Sequence, residues 1–150
     1  MRNRLVTSLT AVLTSVLVLQ TSPVQAAGAL DKIDSSIDEL TDKDRGKRGL
    51  VAVDYDACLD GFAEKQARRQ ARQKRMFHQD VMLVLTTCDL SSVGENVAYG
   101  YTTAASVQRG WMNSPAHRAN ILAPDFDTIG VGVARSSTGT LYYAVVFGGR

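Results

Sequence analysis

Few residues in this chain of 150 can carry proton-transfer or metal chemistry. There are two histidines, His78 and His117, and three glutamates, Glu39, Glu64 and Glu95. Imidazole titrates near neutral pH, so two imidazoles and a carboxylate can form an acid/base set. The same three groups can instead hold a divalent metal with open positions. His78, Glu95 and His117 are therefore candidate catalytic residues and equally candidate ligands for Zn or Mg. Glu95 is singled out by its setting between Gly94 and Asn96, read as a glycine-flanked turn outside any strong helical pattern. His78 follows Phe77 and precedes the apolar run Val81 to Leu85. Taken singly, each histidine is equally a satisfied core or surface residue, and no local ligand motif links positions 78, 95 and 117. Ser114 is the hydroxyl nearest a histidine and would need His117 as its base. No G-x-S-x-G elbow accompanies it, and a helix-capping role accounts for it without chemistry.

The fold has to bring these distant positions together. Leu30, Ile33, Ile37 and Leu40 recur at helical spacing, and the stretch Asp44 to Gly49 ends that helix. Asp54 or Asp56 can cap a second helix from about Ala57 to Arg75, with Leu59, Phe62, Ala63, Ala67 and Ala71 facing inward. Its basic run, Arg68 to Arg75, is either a solvated face or a contact for anionic cell-wall polymer or lipid headgroups. Val81 to Leu85 reads as a buried helical turn, and Ser91 to Tyr101 as a short strand or extended piece. Thr102 or Thr103 can cap a third helix that aligns Ala104, Val107 and Trp111. Ser114-Pro115 starts a short helix carrying His117, which Pro124 ends. The period then becomes two: Ile129, Val131 and Val133, a turn over Ser136 to Gly139, then Leu141, Tyr143, Val145 and Phe147, which form an antiparallel hairpin. Helices followed by strands give an α+β class, with helices packed on a small antiparallel sheet.

Composition sets the outer bounds. Apolar residues at 45% and charged residues at 21% describe one ordinary globular domain, not a disordered or fibrous chain. Arg2 and Arg4, the uncharged stretch Leu5 to Leu19 and the small-x-small pattern Val24-Gln25-Ala26 read as a signal peptide over residues 1–26. A membrane anchor is the competing reading, weakened by Pro23 and the Ser/Thr content. Cleavage would remove Arg2 and Arg4 from a formal charge of +2 and leave a neutral chain over 27–150. Bulk charge therefore gives no support to nucleic-acid binding, and no later segment is long and apolar enough to span a bilayer. In an exported chain, Cys58 and Cys88 read as a disulfide, with free thiols or metal ligands as the alternative.

In combination, several segments resemble the CAP superfamily of cysteine-rich secretory, antigen 5 and pathogenesis-related proteins, in its bacterial secreted branch. They are Phe77 to Asp80, Val93 to Gly100, Gly110 to Leu122, Ile129 to Ala134 and the tail Tyr142 to Phe147. The resemblance covers Ile33 to Gly149. It implies an α-β-α sandwich with a central cleft lined by two histidines and two acidic residues, which in some members holds a divalent metal. His78, Glu95 and His117 match three of those positions. The second acidic position, three residues after the tryptophan, is Ser114 here, so the cleft set is His78, Glu95, His117 and Ser114. Three functions follow as expectations. The first is a secreted, non-enzymatic binding module for a small-molecule, lipid or cell-envelope ligand. The second is a metal-assisted or acid/base hydrolase. The third is a structural protein of the cell envelope.

Overall fold

The computed structural model describes residues 23–150, with side-chain surroundings from residue 28 onward. Residues 1–22 of the expected leader lie outside the described residues. Helix α1 (Pro23–Gly46) runs across the expected cleavage point after Ala26 and lays Ile37, fully buried, onto the sheet. Strand β1 (Asp54–Tyr55) follows, then α2 (Ala57–Gln73), α3 (Val81–Thr87) and β2 (Ser92–Tyr99). Helices α4 (Ala104–Asn113) and α5 (Pro115–Ile121) lead to β3 (Thr128–Arg135) and β4 (Leu141–Gly149).

Local chemistry fixes most boundaries. Asp56 caps α2, accepting a hydrogen bond from the Leu59 amide at 2.9 Å. Asp54, the other expected cap, instead pairs in β1. Lys74 closes α2 in the left-handed conformation. Thr103 caps α4 in a reciprocal arrangement with Ser106. Helix α3 departs from the expected buried turn. Only Val84 is buried, while Met82 and Leu83 are 60% and 54% exposed. The seven-residue helix lies on the flank of the sheet, with Val84 buried and Leu85 packed partly buried against the same cluster.

The sheet order is β1-β3-β4-β2. β3 and β4 form the expected hairpin, β4 pairs antiparallel with β2, and the two-residue β1 joins parallel to β3. Alternation along the strands divides the core in two. Ile129, Val131, Tyr143, Val145 and Phe147 face α1, α4 and α5. Tyr142, Ala144 and Val146, one register step away, face α2 and α3. The result is an α-β-α sandwich. Cys58 and Cys88 form a disulfide with Cα atoms 5.8 Å apart, joining the start of α2 to the end of α3.

One fixture has no sequence forerunner. Arg45, only 1% exposed, closes α1 by donating to four carbonyls: Val51, Ile121, Ala123 and Phe126, at 2.8–3.0 Å. It ties α1 to the segment linking α5 and β3. Burial lowers its pKa, against the favourable field of Asp42.

Candidate functional site

Glu95 lies in the middle of β2, not in a turn. Gly94 is there for a different reason from turn-making. A β-carbon on it would sit 2.9 Å from the Asn120 side chain and the Phe126 ring. The Glu95 side chain, 1% exposed, reaches the segment between α2 and α3. His78 Nδ1 lies 2.6 Å from its Oε2. The Gln79 amide donates to the same oxygen at 3.2 Å, and Gln79 Nε2 donates to Oε1 at 2.8 Å. Burial raises the Glu95 pKa, while the His78 and Gln79 hydrogen bonds pull it back only in part. His78 itself is mostly exposed.

Asn96, the next residue, points to the other face and is fully buried. Its Nδ2 donates to the His117 carbonyl at 3.0 Å, and its Oδ1 accepts from Asn120 Nδ2 at 2.9 Å. Asn120 Nδ2 also donates to the Glu95 carbonyl at 3.1 Å. The tripeptide Gly94-Glu95-Asn96 thus docks α5 on one side of β2 and the His78 segment on the other. Sequence reasoning missed Asn96, Asn120 and Gln79. The signal available was that Asn96 and Asn120 lie within the quoted motifs, each unlike an apolar core residue.

His117 and Ser114 line a cleft of about 300 Å³ together with Met76, Tyr99, Tyr101 and Trp111. Trp111 sits edge-on to Tyr143, and its Nε1 donates to the Val97 carbonyl at 3.3 Å. Burial lowers the His117 pKa, and the neighbouring His78 lowers it further. Ser114 occupies the N-cap position of α5, but its side chain makes no cap hydrogen bond. The capping explanation for Ser114 therefore does not hold. Pro115, at the first helical turn, supplies the start instead.

Two of the expected residues, His78 and Glu95, are in direct contact. The His117 backbone carbonyl accepts from Asn96, and its residue lines the cleft. Of the three residues expected to hold Zn or Mg, Glu95 is engaged by His78 and Gln79. Among the described residues, no three His, Cys, Asp or Glu side chains converge closely enough to hold a metal ion. Both Glu95 oxygens already accept hydrogen bonds, and both cysteines are in the disulfide.

A second concavity, of about 310 Å³, was not anticipated. Asp31, Asp34, Asp38, Tyr55, Asp60 and Glu64 line it, between α1 and α2. Burial, then the charge of Asp60, pushes Asp34 up to about 8. The four-residue spacing of Asp34 and Asp38 on α1 was the visible clue.

These features define a small α-β-α domain with a cleft beside an edge strand. The family description "Cysteine-rich secretory protein family" matches residues 39–147, and the chain belongs to this CAP family. It is 31% identical over 120 residues to the protein YkwD of Bacillus subtilis (strain 168), covering 75% of this chain and 47% of that protein. The chain thus spans about half the length of that relative. A membrane protein of the same organism, YlbC, is 43% identical over 47 residues, covering 31% of this chain and 14% of that protein. Among solved structures, an extracellular SCP-domain protein of Bacillus anthracis superposes with a TM-score of 0.78 at 21% identity. That alignment covers 87% of this chain and 45% of the other. An outer surface protein of Borrelia burgdorferi gives 0.70 at 22% identity, covering 76% and 90%. Both show the fold alone. No helix among the described residues is long and apolar enough to cross a membrane.

Proposed function

We propose that this chain is an exported, non-enzymatic ligand-binding or interaction module, and that the cleft beside β2 is its binding site. The observation that carries this reading is the division of labour around Glu95. The one buried glutamate near the histidines spends both oxygens on holding the His78-Gln79 segment. The cleft itself presents aromatic and apolar surface with a few polar tips, as small-ligand sites do. Export is supported by the leader pattern over residues 1–26 and by the extracellular or outer-surface descriptions of the bacterial neighbours.

One observation favours a hydrolase as the second reading: His117 shares the cleft with a Ser114 hydroxyl that caps nothing. A single pair of measurements separates the two. Trp111 is the only tryptophan, so its fluorescence reports on the cleft. Titration with 1-anilinonaphthalene-8-sulfonate, an apolar probe, should be saturable and should weaken in Tyr101→Ala. Turnover of peptide or ester substrates that disappears in Ser114→Ala and His117→Ala would replace the binding reading with the enzymatic one.

A further inference from the structure

Helices α2 and α3 lie on the same face of the sheet and are joined by the Cys58–Cys88 bridge, so their outward residues share one surface. That surface is unbalanced in charge. Residues 64–75 carry Lys65, Arg68, Arg69, Arg72, Lys74 and Arg75 against one carboxylate, Glu64. Arg68 pairs with Glu64, four residues earlier on the helix. Among the described residues, the other five cations make no ion pair. Two of their heads are held in place rather than loose. The Arg69 and Arg75 guanidinium groups stack on the Phe77 ring, 5.5 and 5.1 Å from its centroid.

After the segment that links it to α2, α3 exposes Met82 and Leu83. Unbranched and branched apolar side chains this exposed, on a helix with only one buried residue, are not explained by packing within the chain. Asp80 is the acidic group nearest to them in sequence, and its carboxylate is engaged by the Met82 and Leu83 amides.

We infer that the α2–α3 layer is a docking surface for an anionic lipid bilayer, with Met82 and Leu83 entering the interface and the α2 cations meeting the headgroups. Charge alone would suit any polyanion; the adjacent apolar residues favour lipid. The inference does not depend on what fills the β2 cleft.

The test is co-sedimentation of the purified protein with vesicles of 30% phosphatidylglycerol in phosphatidylcholine, against pure phosphatidylcholine, at two salt concentrations. Binding should require phosphatidylglycerol and fall steeply with salt. Arg72→Glu/Arg75→Glu should lower the partition coefficient by at least about twentyfold, since each cation near such a surface is worth roughly fivefold. Met82→Ser/Leu83→Ser should also bind more weakly while eluting at the wild-type volume. Circular dichroism controls for folding of both variants. No binding of the wild type to anionic vesicles overturns the inference. So does vesicle binding that ignores the Met82/Leu83 change, or equal binding to soluble poly-glutamate, either of which would reduce the surface to a polyanion contact.

Discussion

Gly132 on β3 sits so close to Ala63 on α2 that a β-carbon added to it would lie 2.4 Å from the Ala63 carbonyl carbon. Gly130, two residues earlier, stands in the same relation to the Asp60 backbone at 2.1 Å. These contacts are to helix backbone, which cannot swing aside as a side chain can. Gly130→Ala and Gly132→Ala should therefore each destabilise by about 3 kcal/mol, at the upper end of overpacking effects. Gly61, in the same helix with open space around its Cα, gives the control. Gly61→Ala should stabilise by about 0.5–1 kcal/mol through helix propensity. Urea unfolding of the three variants measures the contrast, and equal effects at positions 61 and 132 would contradict the packing.

The Cys58–Cys88 bridge closes a loop of 30 residues. On the chain-entropy account, that loop contributes about 3.5–4 kcal/mol. The Cys58→Ser/Cys88→Ser variant should melt roughly 10–20 °C lower in calorimetry, on the usual scaling for a domain of this size. Because α3 buries only Val84, its amides should also lose exchange protection before those of β3 and β4.

How much of this was legible in the sequence follows from where the determinants lie. Periodicities of 3.6 and 2 record burial along one element, so α1, α2, α4 and the β3–β4 hairpin could be read directly. Locally, Glu95 reads as a turn residue because Gly94 precedes it. That glycine answers to Asn120 and Phe126, which lie 26 and more residues away and leave no local mark. Arg45 looked like part of a polar helix end, and only its four carbonyl partners from distant segments explain its burial. Met82 and Leu83 were read as core because hydrophobicity does not say which face of a short helix meets the sheet. For the site, His78 and His117 were identifiable as the only imidazoles. Their partners were not, because Glu95 and Asn96 reach out from opposite faces of one strand to segments distant in sequence.

The hydrogen bond from His78 to Glu95 makes a prediction about titration. Burial raises the Glu95 carboxyl above the usual carboxylate range, and the His78 hydrogen bond is the largest influence holding it down. His78→Ala should therefore move the Glu95 pKa further up, measured by carbon-detected NMR of the carboxyl. A carboxyl whose folded pKa is raised contributes stability below its unfolded pKa and loses it as pH rises through the folded value. The deficit of His78→Ala relative to wild type should accordingly be small at pH 4 and grow towards pH 7. A deficit independent of pH would show that the ring acts only by packing.

Asp34 makes a second pH prediction of the same sign at another place. Its carboxyl is raised from 3.8 to about 8 by burial and then by the neighbouring charge of Asp60. Ionising it in the folded state is unfavourable, so its contribution to stability is present below about pH 4 and declines as pH rises to 8. Asp34→Asn removes that ionisation. The variant should match wild type near pH 4 and exceed it in melting temperature above pH 8. A variant less stable than wild type at pH 9 would mean that the carboxylate has a partner that offsets its burial.

Zinc binding tests the site from the opposite direction. A catalytic zinc centre takes three protein ligands with an open fourth position. Here Glu95 has both oxygens engaged, and the cysteines are paired with each other. Position 114, beside His117 in the cleft, holds serine and adds no carboxylate. Only the two imidazoles are left, and no third acidic or thiol group converges with them among the described residues. Zinc titrated calorimetrically into wild type, His78→Ala and His117→Ala should give weak isotherms that are the same for all three. A stoichiometric isotherm in wild type that either substitution abolishes would mean that the two imidazoles hold zinc with water completing the shell, or that Glu95 releases Gln79 and turns towards the metal. In the second case the amide resonance of Gln79 would shift on zinc addition, giving a second readout of that rearrangement.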